Sequence, residues 1–476
     1  MHKSKLIQHL QLLNEAELKR LLPFLKSPIY NANPRIVDLY LLLRKWHPDY
    51  QHPKLEKEKV FQQLFPNRSY DHQKLLNLMS AFTALLRQYL QYLQLEKEEH
   101  TQDQLLLRAL AERPSAYPVF TKEIAHAHQT LDGLPYRNAN FYYQKFQLNR
   151  LYFNHPETDQ FNLSKAEYEE AMQQLDRSFL LDKLSFSCEV KAREKPLDEQ
   201  YNIWLLPEIR AGIADYPVDN PMTGAYLAML DLLESGNRTA YYQLKKLFEN
   251  NLSSFHRQQQ QYLLQSLINY AIKQGNSGEQ AFVLENLQLY QLGLTHALFL
   301  EHQRLNDMTY ISIVNIALRA EERDWCQKFI EDYAHYLPMH TRKDARALAT
   351  ALWHYANQQP EEATTLLQEV NFLNIYYQIQ ARVLLIKIFV EADRAGNDHT
   401  DLVLAQIDAF ERYLRRNDKV GKAQKEALLN FALYTRRIAK SRLEPSFIQL
   451  QPELRKEMEQ RNTLYNKSWL LHLLGD

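Results

Sequence analysis

Glycine is scarce in this chain, at 10 of 476 residues, whereas globular proteins contain about 7%. Tight hairpin turns and phosphate-binding loops both depend on glycine. Cysteine is scarcer still, because Cys188 and Cys326 are the only two and show no CxxC or metal-type spacing. We therefore expect them to be small core residues in a reduced compartment. These shortages disfavour both sheet-based enzymes and disulfide scaffolds.

The sequence also lacks a net charge and long runs of apolar residues. Lys plus Arg and Asp plus Glu both total 57, which disfavours a polybasic coat for nucleic acid and an acidic disordered tail. The first twenty residues interrupt their apolar positions every turn, unlike a secretory signal, and the apolar stretch Val383–Val390 contains Lys387. A membrane-spanning helix needs about 20 apolar residues. We expect a soluble, cytoplasmic protein without membrane association.

Motifs for catalysis are missing as well. The sequence contains no GxSxG, GxxxxGK[ST], GxGxxG or HExxH pattern, and its closest glycine pair, Gly275 and Gly278, fits a turn between helices. His126 and His128 would point about 200° apart on a helix, so they cannot share a metal. We predict no catalytic residue, no metal, no cofactor and no enzymatic activity, with an active site assembled from scattered residues as the alternative.

Helical periodicity is the dominant positive signal, in a chain where leucine is about one residue in six. Apolar residues recur at alternating steps of four and three from Leu75 to Leu93, from Tyr168 through Met172 to Phe179, and from Val403 to Leu414. Prolines, Pro452 among them, punctuate the pattern as expected helix boundaries. No alternating run flanked by Asn-Gly or Asp-Gly predicts a hairpin. The fold class predicted is all-α.

Differences in composition and helix pattern along the sequence divide the chain into four predicted parts. Residues 1–100 form an N-terminal helical cap of short proline-bounded helices before a long one. Residues 101–235 form an irregular helical middle that ends near a turn-rich patch at 211–224. Residues 236–445 form a solenoid of helix pairs, and residues 446–476 form C-terminal capping helices, of which the last is apolar enough to dock on the body or on a partner.

Four similar segments predict the helix pairs. Their apolar first helices end near Ala271, Ala317, Ala356 and Ala392, and each is followed by a polar turn and a second amphipathic helix. The second helices are predicted at Glu279–Tyr290, Trp325–Leu337, Glu361–Val370 and Thr400–Arg415. Because a helix such as Ala381–Ala392 is apolar on nearly all sides, both its partner and the neighbouring pair must cover it.

The stretch ALATALWHYANQQPEEATTLLQEV resembles a tetratricopeptide repeat. Ala351 and Ala363 match the family's two small positions, and Leu367 matches the large apolar position that follows. Ala347 and Ala351 occupy its usual tryptophan and glycine positions, and the repeat spacing exceeds 34 residues. The resemblance, over residues 239–416, implies a right-handed solenoid. The segments FLKSPIYNANPR and FQQLFPNRSYDHQKLLNLMS are similar to uncharacterised bacterial helical proteins, which implies no activity.

Basic residues and tyrosines are the candidate binding groups. The region from Arg412 to Arg442 contains ten basic residues against Asp418 and Glu426. Its candidate patch for an anion or a partner comprises Arg412, Arg415, Arg416, Lys419, Lys422, Arg436, Arg437 and Lys440. The alternative interpretation is a solvated face beside acidic neighbours. In each of three adjacent tyrosine pairs, only one ring is expected to face the core, because neighbours on a helix diverge by about 100°.

These features predict a non-catalytic intracellular adaptor or scaffold that binds another protein on a concave helical surface. The alternative is a nucleic-acid-associated regulator. It would combine the basic patch with an N-terminal helix-turn-helix-like head, formed by KEKVFQQLFPN and the following helix. That helix offers few exposed cations, Lys74 and Arg87 among them.

Overall fold

The computed structural model describes residues 1–113, 115–213, 220–369, 372, 374–397, 399–441, 447–461 and 463–475. Helix accounts for 77% of the chain, which confirms the all-α prediction. Its contacts divide the chain into an N-terminal unit, Met1–Lys183, and a C-terminal unit, Leu184–Asp476. The predicted limits near residues 100, 235 and 445 stay predictions. Within the described residues, no helix is both long and apolar enough to cross a membrane.

The N-terminal unit contains eight helices and the start of a ninth among its described residues. They are α1 (Lys5–Gln11), α2 (Glu15–Lys26), α3 (Pro34–Arg44), α4 (Lys57–Leu64), α5 (His72–Leu95), α6 (Glu99–Ala111), α7 (Tyr117–Asp132), α8 (Ala139–Phe153) and α9 (Lys165–Leu197), which crosses into the C-terminal unit. The Asp71 carboxylate accepts the backbone N–H of Lys74 at 3.0 Å and so starts α5. The α5 stripe predicted from Leu75 to Leu93 is buried against α1–α4, as expected.

The C-terminal unit contains fourteen further helices among its described residues. They are α10 (Leu206–Ile213), α11 (Pro221–Ser235), α12 (Arg238–Asn250), α13 (Arg257–Asn276), α14 (Gln280–Thr295), α15 (Asp307–Arg319), α16 (Arg323–Tyr333), α17 (Met339–Ala356), α18 (Pro360–Glu369), α19 (Ile375–Ala392), α20 (Thr400–Arg416), α21 (Lys422–Ser441), α22 (Phe447–Gln460) and α23 (Lys467–Leu473). The four predicted pairs are therefore present as α13–α14, α15–α16, α17–α18 and α19–α20.

Helices of this unit pack mainly on their neighbours in the chain. The helix α19 contacts α17, α18 and α20, and its buried residues occupy nearly every side of the helix, including Tyr377, Leu384 and Ile388. This arrangement is the coverage predicted for an all-round apolar helix. At the C-terminus, Leu470 and Leu473 of α23 are buried in the cluster that α19, α20 and α21 form, so this helix docks on the body.

One sequence expectation, the helix boundary at Pro452, needs correction. Pro452 lies inside α22 rather than at its boundary; Leu454 and Met458 of the same helix are buried, and that burial offsets the lost backbone hydrogen bond. The structure also contains a short hairpin, for which no alternating run with an Asn-Gly or Asp-Gly turn was present in the sequence. Strands β1 (Leu300–Glu301) and β2 (Arg304–Leu305) pair antiparallel between α14 and α15.

The apolar stripe of α9 lies largely in solvent, although the helix itself is present. Met172 is 56% exposed and Phe179 is 47% exposed. The face that is buried carries Ala171, Gln174 and Ser178. Periodicity therefore identified the helix but not the side that packs, because the buried face, which continues through Leu181 and Leu184, begins with residues that are small or polar.

A glycine inside α14 makes room for the chain that leads to the hairpin. A Cβ atom on Gly293 would lie 2.3 Å from the Phe299 ring and 2.8 Å from Leu264. Both distances are too short for carbon atoms in contact, so a larger residue would displace the ring. The Gly293 carbonyl also accepts the Leu298 N–H at 2.7 Å. Gly293 thus sets how closely the segment 298–305 approaches α14.

We expect Gly293→Ala to lower the free energy of unfolding by about 1–3 kcal/mol, because the added methyl group overpacks the contact with Phe299. Urea unfolding of the full chain measures this effect. Gly224→Ala is the matched control, since its Cβ would meet Leu247 at 3.7 Å, an ordinary contact. The control should be neutral or stabilising by up to about 1 kcal/mol through helix propensity. Equal effects of the two substitutions would contradict this account of Gly293.

Candidate functional site

A cleft of about 810 Å³ opens beside the hairpin of the C-terminal unit. One wall is a face of α13 that presents Gln258, Gln261, Tyr262 and Gln265. The other wall is the segment 298–309, and Pro338 completes the lining. Ligand sites in proteins commonly measure 300–1,000 Å³. The cleft is therefore the size of a binding site for a small molecule or a few residues of a peptide.

Hydrogen bonds from α13 fix the hairpin wall of this cleft. The Arg257 guanidinium donates to the carbonyl oxygens of Ala297 and Leu300, at 2.6 and 2.7 Å. The Gln261 amide donates to the Leu298 carbonyl at 2.6 Å. These three carbonyls belong to residues that precede or begin β1. The hydrogen bonds therefore join the two walls of the cleft directly.

The turn of the hairpin is conformationally strained. His302 and Gln303 have φ values of 48° and 61°, the left-handed region that two-residue hairpin turns require. Asn-Gly is the usual sequence for such a turn because side chains with a Cβ disfavour this region. Non-glycine residues in this conformation cluster at functional sites, where surrounding contacts hold them in place.

Neutral hydrogen-bonding groups dominate the cleft. The side chains of Gln258 and Thr309 make no hydrogen bond with another described residue, and the Gln265 amide donates to Asn269. Burial raises the pKa of Tyr262, which therefore stays a neutral hydroxyl. Glu301 and Arg304, of opposite charge, are directly opposite each other in the hairpin. This chemistry suits reversible recognition of uncharged polar groups.

The predicted basic patch is divided in the structure between the two ends of α21. Arg412, Arg415 and Arg416 end α20, and Lys422 begins α21 after a short turn that contains Lys419. Arg436, Arg437 and Lys440 lie 14 to 18 residues further along α21, which is about 21–27 Å at 1.5 Å per residue. Arg442 lies outside the described residues. Arg415 of the first group and Arg436 of the second nevertheless contact the same carboxylate, that of Glu411.

Pairing with carboxylates also differs between the two groups. Arg436 contacts Asp408 at 2.7 Å and Glu411 at 3.1 Å, and Arg437 contacts Glu457 at 2.6 Å. Arg415 lies 3.8 Å from Glu411. Lys440 is exposed and has no ion-pair partner in the described part of the chain.

Four cations at the α20–α21 turn, Arg412, Arg416, Lys419 and Lys422, are all exposed, and none makes an ion pair with another described residue. We call these four side chains the basic turn. Its positive charge is not neutralised by neighbouring carboxylates, unlike that of Arg436 and Arg437.

The tyrosine pairs follow the expected division. Tyr142, Tyr241 and Tyr377 are buried, whereas Tyr143 and Tyr242 are exposed and Tyr376 is half-buried. In the pair on α12, both hydroxyls donate to Glu285 of α14, at 2.9 and 2.6 Å. Burial alone would raise the pKa of Glu285, but the two hydroxyls and Lys245 lower it. These tyrosines hold helices together.

Four histidines with short sequence spacing, two on α7 and two near the hairpin, differ in their surroundings. His126 is exposed, while His128 is half-buried; burial, assisted by Lys145, lowers the pKa of His128 to about 4. His296 ends α14, and His302 lies in the hairpin turn. No group of three or more potential ligands suited to a metal occurs among the described residues.

In the N-terminal unit, the helix expected to read nucleic acid is the centre of the core. Eight apolar residues of α5 are buried. The Lys74 ammonium lies 4.5 Å over the Phe65 ring, and Arg87 is exposed. The helix-turn-helix hypothesis stays a prediction.

The cleft was not predicted from the sequence. A usable signal was present, because Gln258, Gln261 and Gln265 recur at steps of three and four and so share one helix face.

No protein-family model, curated protein or solved structure matches the chain.

We expect the double substitution His302→Asn with Gln303→Gly to raise the free energy of unfolding by about 1 kcal/mol, because both new residues tolerate positive φ. Urea unfolding measures this gain, and hydrogen exchange of residues 298–306 should slow in parallel. Gln303→Ala is the control and should change stability by less than about 0.5 kcal/mol, since alanine keeps the strain. A double variant no more stable than this control would contradict the assignment of strain to the turn.

Proposed function

We propose that this protein is a non-catalytic adaptor that holds an extended segment of another protein in the cleft between α13 and the hairpin. The observation that carries the proposal is the amide-rich lining of that cleft. A peptide group has one N–H donor and one carbonyl acceptor, and a glutamine side chain offers a carbonyl acceptor and two N–H donors, so a row of glutamines can match a peptide backbone without selecting a charge. A neutral lining disfavours phosphorylated or strongly acidic ligands.

The proposal includes a finer architecture. Helix pairs α13–α14 to α19–α20 would form a tetratricopeptide-like, right-handed solenoid, with residues 1–100 as an N-terminal cap. Support comes from the complete burial of Ala351 and Ala363 and the near-complete burial of Leu367, at the positions where α17 and α18 pack together. Helix pairs in series present continuous surfaces that bind extended peptides. The buried free thiols of Cys188 and Cys326 support a cytoplasmic location.

Selection of 12-residue peptides from a random display library on the full chain tests this function. We expect the selected peptides to lose about 10-fold or more in affinity with the double variant Gln258→Ala, Gln265→Ala, since each lost hydrogen bond is worth about 0.5–1.5 kcal/mol. The control is Gln327→Ala, an exposed glutamine of α16. Fluorescence anisotropy of a labelled selected peptide measures the affinity. Peptides that bind both variants equally well would contradict the proposal.

A second candidate function, association with nucleic acid, is favoured by the basic turn. Its four cations lie at the end of α20 and the start of α21 and are free to contact phosphates. Cations at the C-terminal end of a helix also stabilise that helix, which is the competing explanation for Arg412 and Arg416. Salt dependence separates the two explanations, because phosphate contacts release counterions whereas a stabilised helix end does not bind ligand.

If the basic turn binds nucleic acid, retention on single-stranded DNA should weaken as salt rises. Changing Arg412, Arg416, Lys419 and Lys422 to Gln should then flatten the log–log slope by roughly 3, at about 0.7 per phosphate contact. The matched control changes four exposed lysines elsewhere, Lys19, Lys246, Lys273 and Lys343, to Gln. Unaltered retention in the first variant, or equal loss in both, would argue against a nucleic-acid role for this turn.

A further inference from the structure

A ladder of stacked aromatic rings runs along one side of α16. The Trp325 ring stacks on Phe329 with centroids 5.5 Å apart, and Phe329 stacks on Tyr333 at 5.0 Å. Tyr336, in the turn that follows α16, contacts Tyr333 at 5.7 Å. Residues four apart share a helix face, so the ladder follows from the sequence. Phe329 is buried, whereas Trp325 and Tyr333 are half-buried.

This ladder lines a groove of about 300 Å³ between α14 and α16, with Leu294 and Thr295 on the opposite side. Lys328 and Asp332, which have opposite charges, also line the groove. The groove is distinct from the glutamine cleft, with which it shares no lining residue. Its surface combines aromatic rings, one leucine and balanced charge.

The polar ends of the ladder are hydrogen-bond donors without an acceptor. Neither the Trp325 indole N–H nor the Tyr333 hydroxyl makes a hydrogen bond with another described residue. An indole N–H only donates. Burial, with the nearby Tyr336 and Asp332, raises the pKa of Tyr333, so its hydroxyl keeps its proton and can donate as well. The groove therefore offers donors and aromatic surface to a ligand that supplies acceptors and apolar surface.

We propose that the groove between α14 and α16 binds a proline-rich segment of a partner protein in the polyproline II conformation. Proline has no N–H, so such a segment presents carbonyl acceptors and apolar rings, the complement of this groove. One turn of such a segment takes three residues at about 3.1 Å each. The Trp325 and Tyr333 rings lie on either side of Phe329, at centroid distances of 5.5 and 5.0 Å, so the ring ladder is comparable in length to one such turn.

Other occupants fit less well. A β-strand presents N–H groups as well as carbonyls, and an α-helix uses most of both groups internally. Polyproline II segments, in contrast, bind in aromatic-lined grooves at low entropic cost because they are already extended. The inference does not rest on the proposed function of the glutamine cleft, because the two surfaces have different residues and different chemistry.

Anisotropy titrations of the full chain with fluorescein-labelled decaproline test this proposal. We expect decaproline to bind at least about 10-fold more tightly than a labelled (Gly-Ser)5 peptide or a labelled alanine-rich helical peptide of equal length. Trp325→Phe and Tyr333→Phe keep the ring ladder and remove one donor each. Each should weaken decaproline binding about 3- to 10-fold, the range for one lost hydrogen bond. Circular dichroism melting confirms that the variants remain folded.

Matched controls are Trp204→Phe and Tyr143→Phe, which remove the same groups from exposed residues outside the groove. Both should leave decaproline binding unchanged, as should the cleft variant Gln258→Ala, Gln265→Ala. Three results would overturn the proposal: decaproline binding no tighter than (Gly-Ser)5, a helical peptide that binds more tightly, or groove variants that bind decaproline as the controls do. Loss of decaproline binding only in the cleft variant would also overturn it.

Discussion

The need to cover apolar helices on more than one side determines most of this structure. The helix α19 has buried residues on nearly all its sides, and α15 buries Ile311, Val314 and Ile316 and contacts α14, α16 and α17. No single partner can cover such a helix. The next helices in the chain are the nearest available cover, so packing proceeds along the sequence. The surfaces left for binding are then the grooves between successive helices and the loops that join them.

Periodicity in the sequence predicted the helices well and their orientation less well. The α5 stripe and the four helix pairs lie where the apolar spacing indicated. On α9, however, Met172 and Phe179 are exposed while Ala171 and Ser178 are buried. An apolar stripe shows that a helix is stable only with a partner, but not which face a given neighbour covers. Which face of a helix is covered depends on the shape of the packed surfaces, because small residues allow two helices to approach each other more closely.

The candidate surfaces were harder to predict, because each depends on residues that are distant in sequence. The hairpin has no local turn signal, since its turn residues are His302 and Gln303 rather than Asn and Gly. Composition predicted one basic patch, but Arg436 is neutralised by Asp408 and Glu411. Asp408 and Glu411 precede Arg436 by 28 and 25 residues in the sequence, and both contact it in the fold. The neutralised cations can be distinguished from the basic turn only once the packing of α20 against α21 is known.

Strain in the hairpin is tolerable because several contacts determine its position. A left-handed conformation costs an ordinary residue about 1–2 kcal/mol, and two adjacent residues adopt it here. The compensating contacts come from α13 and α14: two hydrogen bonds from Arg257, one from Gln261 and the Phe299 ring seated on Gly293. Each net hydrogen bond contributes about 0.5–1.5 kcal/mol. Three such bonds contribute about 1.5–4.5 kcal/mol, which is similar in size to the cost of about 2–4 kcal/mol for the two turn residues.

The same contacts bear on recognition. A loop free to move would have to be ordered when a ligand binds, at a cost of about 1–2 kcal/mol for each residue fixed. Arg257 and Gln261 order the hairpin wall before any ligand is present. Neutral amides bind weakly one at a time, so a cleft that depends on them gains most from being preformed. The strained turn is therefore consistent with a binding surface whose shape is fixed in advance.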